Sequence, residues 1–144
     1  MVVHMELYDF IISRLPDIDG YGNCNKVVDD DGVSNHSTFK QFIREDHQGD
    51  VGVFIVNNSV ARKYHGYADH ETDVQIVVNA VNGDIEKALG YLSNAFLNIK
   101  NNNKSNDVLV KTLRLLNLRP AGMNSAGVHW CVLNLNLKYI VAQN

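Results

Sequence analysis

The stretch Val128-His129-Trp130-Cys131-Val132-Leu133-Asn134-Leu135-Asn136-Leu137-Lys138-Tyr139-Ile140-Val141-Ala142 alternates along its length. Cys131, Leu133, Leu135, Leu137, Tyr139 and Val141 fall on one side. Val128, Trp130, Val132, Asn134, Asn136, Lys138 and Ile140 fall on the other. Side chains of a β-strand point alternately to opposite faces, so this is a strand with one face on a core and one face wetter. At about 3.3 Å per residue it would run to roughly 50 Å, long for a small domain. The expectation is a bulge within it or an end that reaches a partner.

Upstream, Val108–Leu118 alternates in the same way, and Pro120 to Gly127 reads as the connecting loop. Before it, Ile85, Ala88, Leu89, Leu92, Ala95, Phe96 and Ile99 recur at helical spacing, which predicts a helix over Asp84–Ile99 with Asp84 as its cap. Two more strands are expected at Val51–Asn57 and Asp73–Val81, rich in β-branched residues. Between them, Asn57-Asn58-Ser59 marks a turn, and Ala61 to Glu71 reads as a polar, aromatic loop. Leu7, Phe10, Ile11 and Leu15 predict an opening helix, about Val3 to Leu15, stopped by Pro16. Residues 17–50 form an irregular region, with a short strand near Lys26–Val28 and a helical turn at Ser37–Arg44. The order is α-β-β-α-β-β. It predicts a single α+β domain over residues 1–144: a mostly antiparallel four-stranded sheet with both helices on one face.

Composition bounds the function. The chain has 144 residues, 45% hydrophobic and 20% charged, with 13 Lys and Arg against 16 Asp and Glu. That is an ordinary globular balance with a net charge of −3, which offers nothing for coating nucleic acid by charge alone. No apolar run approaches the roughly 20 residues of a membrane span. The opening Met1–Glu6 lacks a basic region before an apolar stretch, so the chain reads as made and kept inside a cell, with Met5 a second candidate start. Cys24 and Cys131 match no metal-ligand spacing and read as separate thiols.

Candidate chemistry is sparse. His65, Asp69, His70 and Glu71 offer four ligand types, yet their spacing fits no zinc pattern, and such residues are ordinary in a wet loop. Asp29-Asp30-Asp31-Gly32 lacks the alternating oxygens of a calcium loop. No phosphate loop or nucleophile elbow is present. The expectation is therefore no catalytic residue, no metal and no cofactor. Arg62, Lys63, Tyr64 and Tyr67, with Asp69 and Glu71, mix charge with aromatic faces, the composition of a protein–protein anchor. Trp130, on the wetter side of the last strand, is the second candidate contact.

The chain resembles the tail-terminator or tail-completion (minor capsid) proteins of long-tailed bacteriophages. The resemblance rests on Leu7-Tyr8-Asp9-Phe10-Ile11-Ile12-Ser13-Arg14-Leu15, on Gly52–Val56, and on His65-Gly66-Tyr67-Ala68-Asp69 leading into Asp73–Val78. It continues through the helix Asp84–Leu97 and the Trp130–Leu137 strand, and leaves out residues 17–50. It implies a structural virion protein, made in the bacterial cytoplasm, that assembles as a hexameric ring. The ring caps the tail tube, ends its polymerisation and joins the tail to the head connector. Its partners would be other copies, the tail-tube protein and the connector, with neither a membrane nor a specific nucleic-acid site. An isolated subunit could remain a monomer. The resemblance also suggests that Asp29, Asp30 and Asp31 face the lumen, where negative charge lets DNA slide. The alternatives are a small intracellular ligand-binding or regulatory α+β domain and, behind it, a small enzyme using the His65–Glu71 segment.

Overall fold

The computed structural model describes residues 5–22, 26–28, 48–64, 67–124 and 126–142, with backbone alone at 5, 26–28, 56–64 and 67–68. The elements are α1 (Met5–Ile12), β1 (Lys26–Val28), β2 (Val51–Tyr64), β3 (Tyr67–Asn79), α2 (Ile85–Asn101), β4 (Val108–Met123) and β5 (His129–Ala142). The sheet order is β1-β2-β3-β5-β4. Its four long strands are antiparallel neighbours, and β1 adds a short parallel edge against Val51–Val53. The α+β architecture and the order of its long elements are as the sequence implies, and β1 lies where a short strand was expected.

The alternation of β5 sets the two faces. Cys131, Leu133, Leu135, Leu137, Tyr139 and Val141 are buried in one cluster with Val51, Val53 and Ile55 of β2 and Val74, Ile76 and Val78 of β3. Both helices cover that face: α1 through Leu7, Tyr8, Phe10 and Ile11, and α2 through Ala88, Tyr91, Leu92, Ala95 and Ile99. Asp84 caps α2 by accepting the Lys87 N–H at 3.0 Å, which satisfies a backbone donor left orphaned at the helix start. Arg14, two residues past α1, lies over the Phe10 ring and donates to the Asn102 and Lys104 carbonyls, while Asn98 donates back to the Arg14 carbonyl. The end of α1 is thereby tied to the end of α2. Gly49, with φ +84°, sits against the Gly20 carbonyl, where a side chain would collide.

Several boundaries differ from the sequence reading. Asn57-Asn58-Ser59 does not turn the chain. β2 continues to Tyr64, and register shifts at Val56/Ser59 and Val60/Arg62 absorb the turn-forming residues as bulges. The expected Ala61–Glu71 loop is therefore a hairpin, paired from Arg62↔Asp69 to Tyr64↔Tyr67. β4 runs through Pro120 to Met123. Proline is tolerated there because β4 is an edge strand, with no neighbour on its outer side among the described strands. Nor does the last strand overreach its sheet. β5 is central, paired with β3 over Trp130–Ala142 and with β4 over His129–Val141, and the shifts fall on β2 and β4. All four long strands are simply long. The Ser37–Arg44 helical turn, with Val3 and His4 of the opening helix, lies outside the described residues.

Tyr91 belongs to the buried stripe of α2, whereas Phe96 is only half-buried. The Tyr91 ring stacks on Tyr21 at 5.5 Å. Its hydroxyl is buried without a hydrogen-bond partner among the described residues, and burial pushes its pKa up to about 12, with Asp17 adding to the shift. Leu92→Ala should cost about 2–5 kcal/mol. Tyr91→Phe, which removes an unpaired polar atom and keeps the ring, should cost less than about 1 kcal/mol. Above about pH 10 the unfolded chain loses the tyrosine proton before the folded chain does, so wild-type stability falls as pH rises. Denaturant unfolding should show that alkaline decline reduced in Tyr91→Phe. An equally steep decline would place the hydroxyl in a different environment.

Candidate interaction surface

The face of the sheet away from the helices carries the polar side chains that strand alternation turns outward. On β3 these are Asp69, Glu71, Asp73 and Gln75; on β5, Asn134, Asn136 and Lys138. They are linked across strands. Asn136 Nδ2 donates to Asp73 Oδ1 at 2.9 Å and to Glu71 Oε1 at 3.5 Å. Asn134 Nδ2 donates to Asn117 Oδ1 of β4 at 2.7 Å. Lys111 Nζ reaches Asp69 at 3.3 Å. An open depression of about 270 Å³ lies over the middle of this face, between Asp73, Gln75, Leu116, Asn117 and Asn134.

The sequence-predicted contact residues divide into two groups. Arg62, Lys63 and Tyr64 end β2, and Tyr67 begins β3, so their backbones form the tip of the β2–β3 hairpin; their side chains lie outside the described residues. Asp69 and Glu71 stand near that tip. Trp130 is at the other end of β5, ten residues from Ile140, the partner of Asp69. That separation is roughly 33 Å. Trp130 is half-buried with Ala121, against Phe54, Val77 and Val132, which form a small apolar cluster on the helix-free face. Asp29, Asp30, Asp31 and Cys24 lie outside the described residues.

The His65–Glu71 ligand set does not converge. His65 is outside the described residues, and His70 points to the helix-covered face, opposite Asp69 and Glu71. There it is buried, with its ring stacked on Tyr139 at 5.1 Å. Adjacent strand residues face opposite ways, so a contiguous Asp-His-Glu in a strand cannot chelate together. Among the described residues, no group of three or more His, Cys, Asp or Glu is placed to hold a metal ion. Cys131 is a free thiol in the core, its pKa raised by burial.

The sequence reading placed a strand at Val108–Leu118 but did not single out β4 as an exposed surface. Every residue from Lys111 to Met123 is exposed or half-buried. Leu115 is 47% exposed, Leu116 45% and Met123 62%. The reason is geometric. β4 is the outer strand, and α2, at 17 residues, is about 26 Å long, shorter than the sheet it lies on. Register shifts at Val110/Thr112, Leu115/Asn117 and Pro120/Gly122 further break the alternation. The adjacent Leu115-Leu116 pair was the available signal, since two consecutive leucines cannot both face one core in a regular strand.

No family model matches the chain, and no curated protein does. No helix among the described residues is long and apolar enough to cross a membrane.

Asn136 is the joint of the polar ladder. Asn136→Asp would replace its donor with a third carboxylate beside Asp73 and Glu71, costing about 1–3 kcal/mol at neutral pH. Its neighbours would raise the new group's folded pKa above its unfolded value. The penalty should therefore be largest at neutral pH and shrink as pH falls toward about 4. Denaturant midpoints of variant and wild type at both pH values measure this. A penalty independent of pH would contradict the geometry.

Proposed function

We propose that this chain is a structural protein of a bacteriophage virion that acts by self-assembly. Copies would form a ring that caps the tail tube, ends its polymerisation and joins it to the head connector. The observation that carries the assembly part is β4. A well-packed sheet with a helix-covered face nonetheless leaves thirteen residues of its outer strand, Lys111–Met123, exposed or half-buried, with three large apolar side chains among them. Exposed apolar surface rimmed by charge is characteristic of protein contact sites. The phage setting rests on the resemblance of α1, the β2–β3 pair, α2 and β5 to tail-terminator proteins. The two expected contact patches, the hairpin tip with Asp69 and Glu71 and the Trp130 cluster, lie at opposite ends of the sheet. A head-to-tail ring needs two different patches on each subunit.

On this proposal the chain resides at the head–tail interface and contributes no chemistry of its own. Sedimentation or native mass measurement of the chain with the tail-tube protein should yield a closed oligomer of defined size. A phage lacking the protein should make tails of uncontrolled length or finished tails that fail to join heads. Normal tails joined to full heads would contradict the assignment and leave the ligand-binding or regulatory domain in its place.

A further inference from the structure

Self-assembly, as proposed above, names the hairpin tip and the Trp130 cluster as expected patches but assigns no partner surface to β4. β4 carries Lys111, Arg114 and Arg119 and no acidic residue. Lys111 is engaged by Asp69. Arg114 and Arg119 are exposed, and neither makes an ion pair or side-chain hydrogen bond among the described residues. Two features exclude β4 meeting β4. A two-fold contact would bring two wholly cationic edges together with no acidic residue between them, and registers that pair Arg114 with Arg119 would set like charges directly opposite, which is destabilising. The register shifts at Val110/Thr112, Leu115/Asn117 and Pro120/Gly122 also interrupt the strand, and such bulges protect an edge against adding another strand. The contact must therefore run through side chains and meet an acidic surface elsewhere on the next copy.

Such a surface stands on the far side of β3 and β5. Asp17 leads from Arg14 into a turn. There Gly22 N–H bonds the Gly49 carbonyl and the Gly20 carbonyl packs against Gly49, which holds Gly20–Gly22, with Asp19 next to them, beside the start of β2. That is three strands from β4 in the sheet order, about 14 Å across the strands. Asp17 and Asp19 are exposed, and their carboxylates make no ion pair or side-chain hydrogen bond among the described residues. Pro16 and Ile18, both half-buried, supply apolar surface among them. Leucine and methionine beside unpaired arginines on one edge thus have a counterpart in proline and isoleucine beside unpaired aspartates near the other.

We infer that β4 of one copy docks on the Pro16–Asp19 segment of the next copy, with Arg114 and Arg119 meeting Asp17 and Asp19. The contact is heterologous, each copy giving one surface and receiving on the other, as a ring requires. This inference rests on the self-assembly reading.

The test is a charge exchange. One variant carries Arg114→Glu and Arg119→Glu; the other carries Asp17→Lys and Asp19→Lys. All four positions are exposed, and thermal unfolding checks that both variants fold. Wild type at its highest soluble concentration, with the tail-tube protein where the chain alone stays monomeric, should sediment as an oligomer, and the variants are measured under the same condition. Each variant alone should sediment as a monomer, because its two surfaces now carry like charge. An equimolar mixture should recover assembly, with the variants alternating. Variants that assemble like wild type, or a mixture that stays monomeric, would overturn the assigned surfaces while leaving self-assembly intact. A wild type that remains monomeric, including with the tail-tube protein, would remove the self-assembly reading itself and this contact with it.

Discussion

The pairing of β3 with β5 is the constraint on which the rest of the structure depends. It runs for thirteen consecutive residue pairs, Tyr67↔Ala142 to Asn79↔Trp130, without a register shift. A slip of one residue would turn every side chain to the opposite face. Here it would expose Val74, Ile76, Val78 and the Cys131–Tyr139 column, all buried, and drive Asp69, Glu71, Asp73 and Lys138 beneath the helices. Burying unpaired charges is far costlier than any gain available to a shifted ladder. The register of this central pair is thus enforced by the two faces at once. The irregularities of the sheet are displaced to its outer pairs, β2–β3 and β4–β5.

That division explains what the sequence disclosed. β5 and the core of β3 alternate cleanly because both faces of a central strand are committed, so their inward residues could be read directly. α2 was equally legible, since its apolar stripe must match a continuous core; only Tyr91, amphipathic by nature, was left out of it. The outer strands were harder. Asn57, Asn58 and Ser59 favour turns locally, yet a bulge accommodates them once β3 supplies a partner. Pro120 suggests a loop, yet an edge strand does not require its missing N–H on the outer side. In each case tertiary pairing overrides a local preference that is worth only a few kcal/mol at most.

The candidate surface was legible in part. Asp69, Glu71 and Trp130 do face the helix-free side, because alternation along β3 and β5 puts them there. Their separation along the sheet depends on which residue opposes which, and that information is not contained in any single stretch of sequence. The cross-strand joint made by Asn136 was invisible for the same reason. The exposure of β4 follows from a comparison of lengths. A helix rises about 1.5 Å per residue and a strand about 3.3 Å, so a 17-residue helix covers only part of a 16-residue strand. The uncovered remainder of the outer strand is where the protein has surface available for another chain.

Amide hydrogen exchange compared between dilute and assembled protein tests that claim most directly. In the dilute chain the outward backbone amides of Lys111–Met123 should exchange readily, whereas β3 and β5 stay protected as the deepest-buried strands. On assembly, added protection should concentrate in Lys111–Met123 and in Asp17–Gly22. An assembled state in which both segments exchange as fast as in the dilute chain, with protection gained elsewhere, would contradict the role assigned to β4.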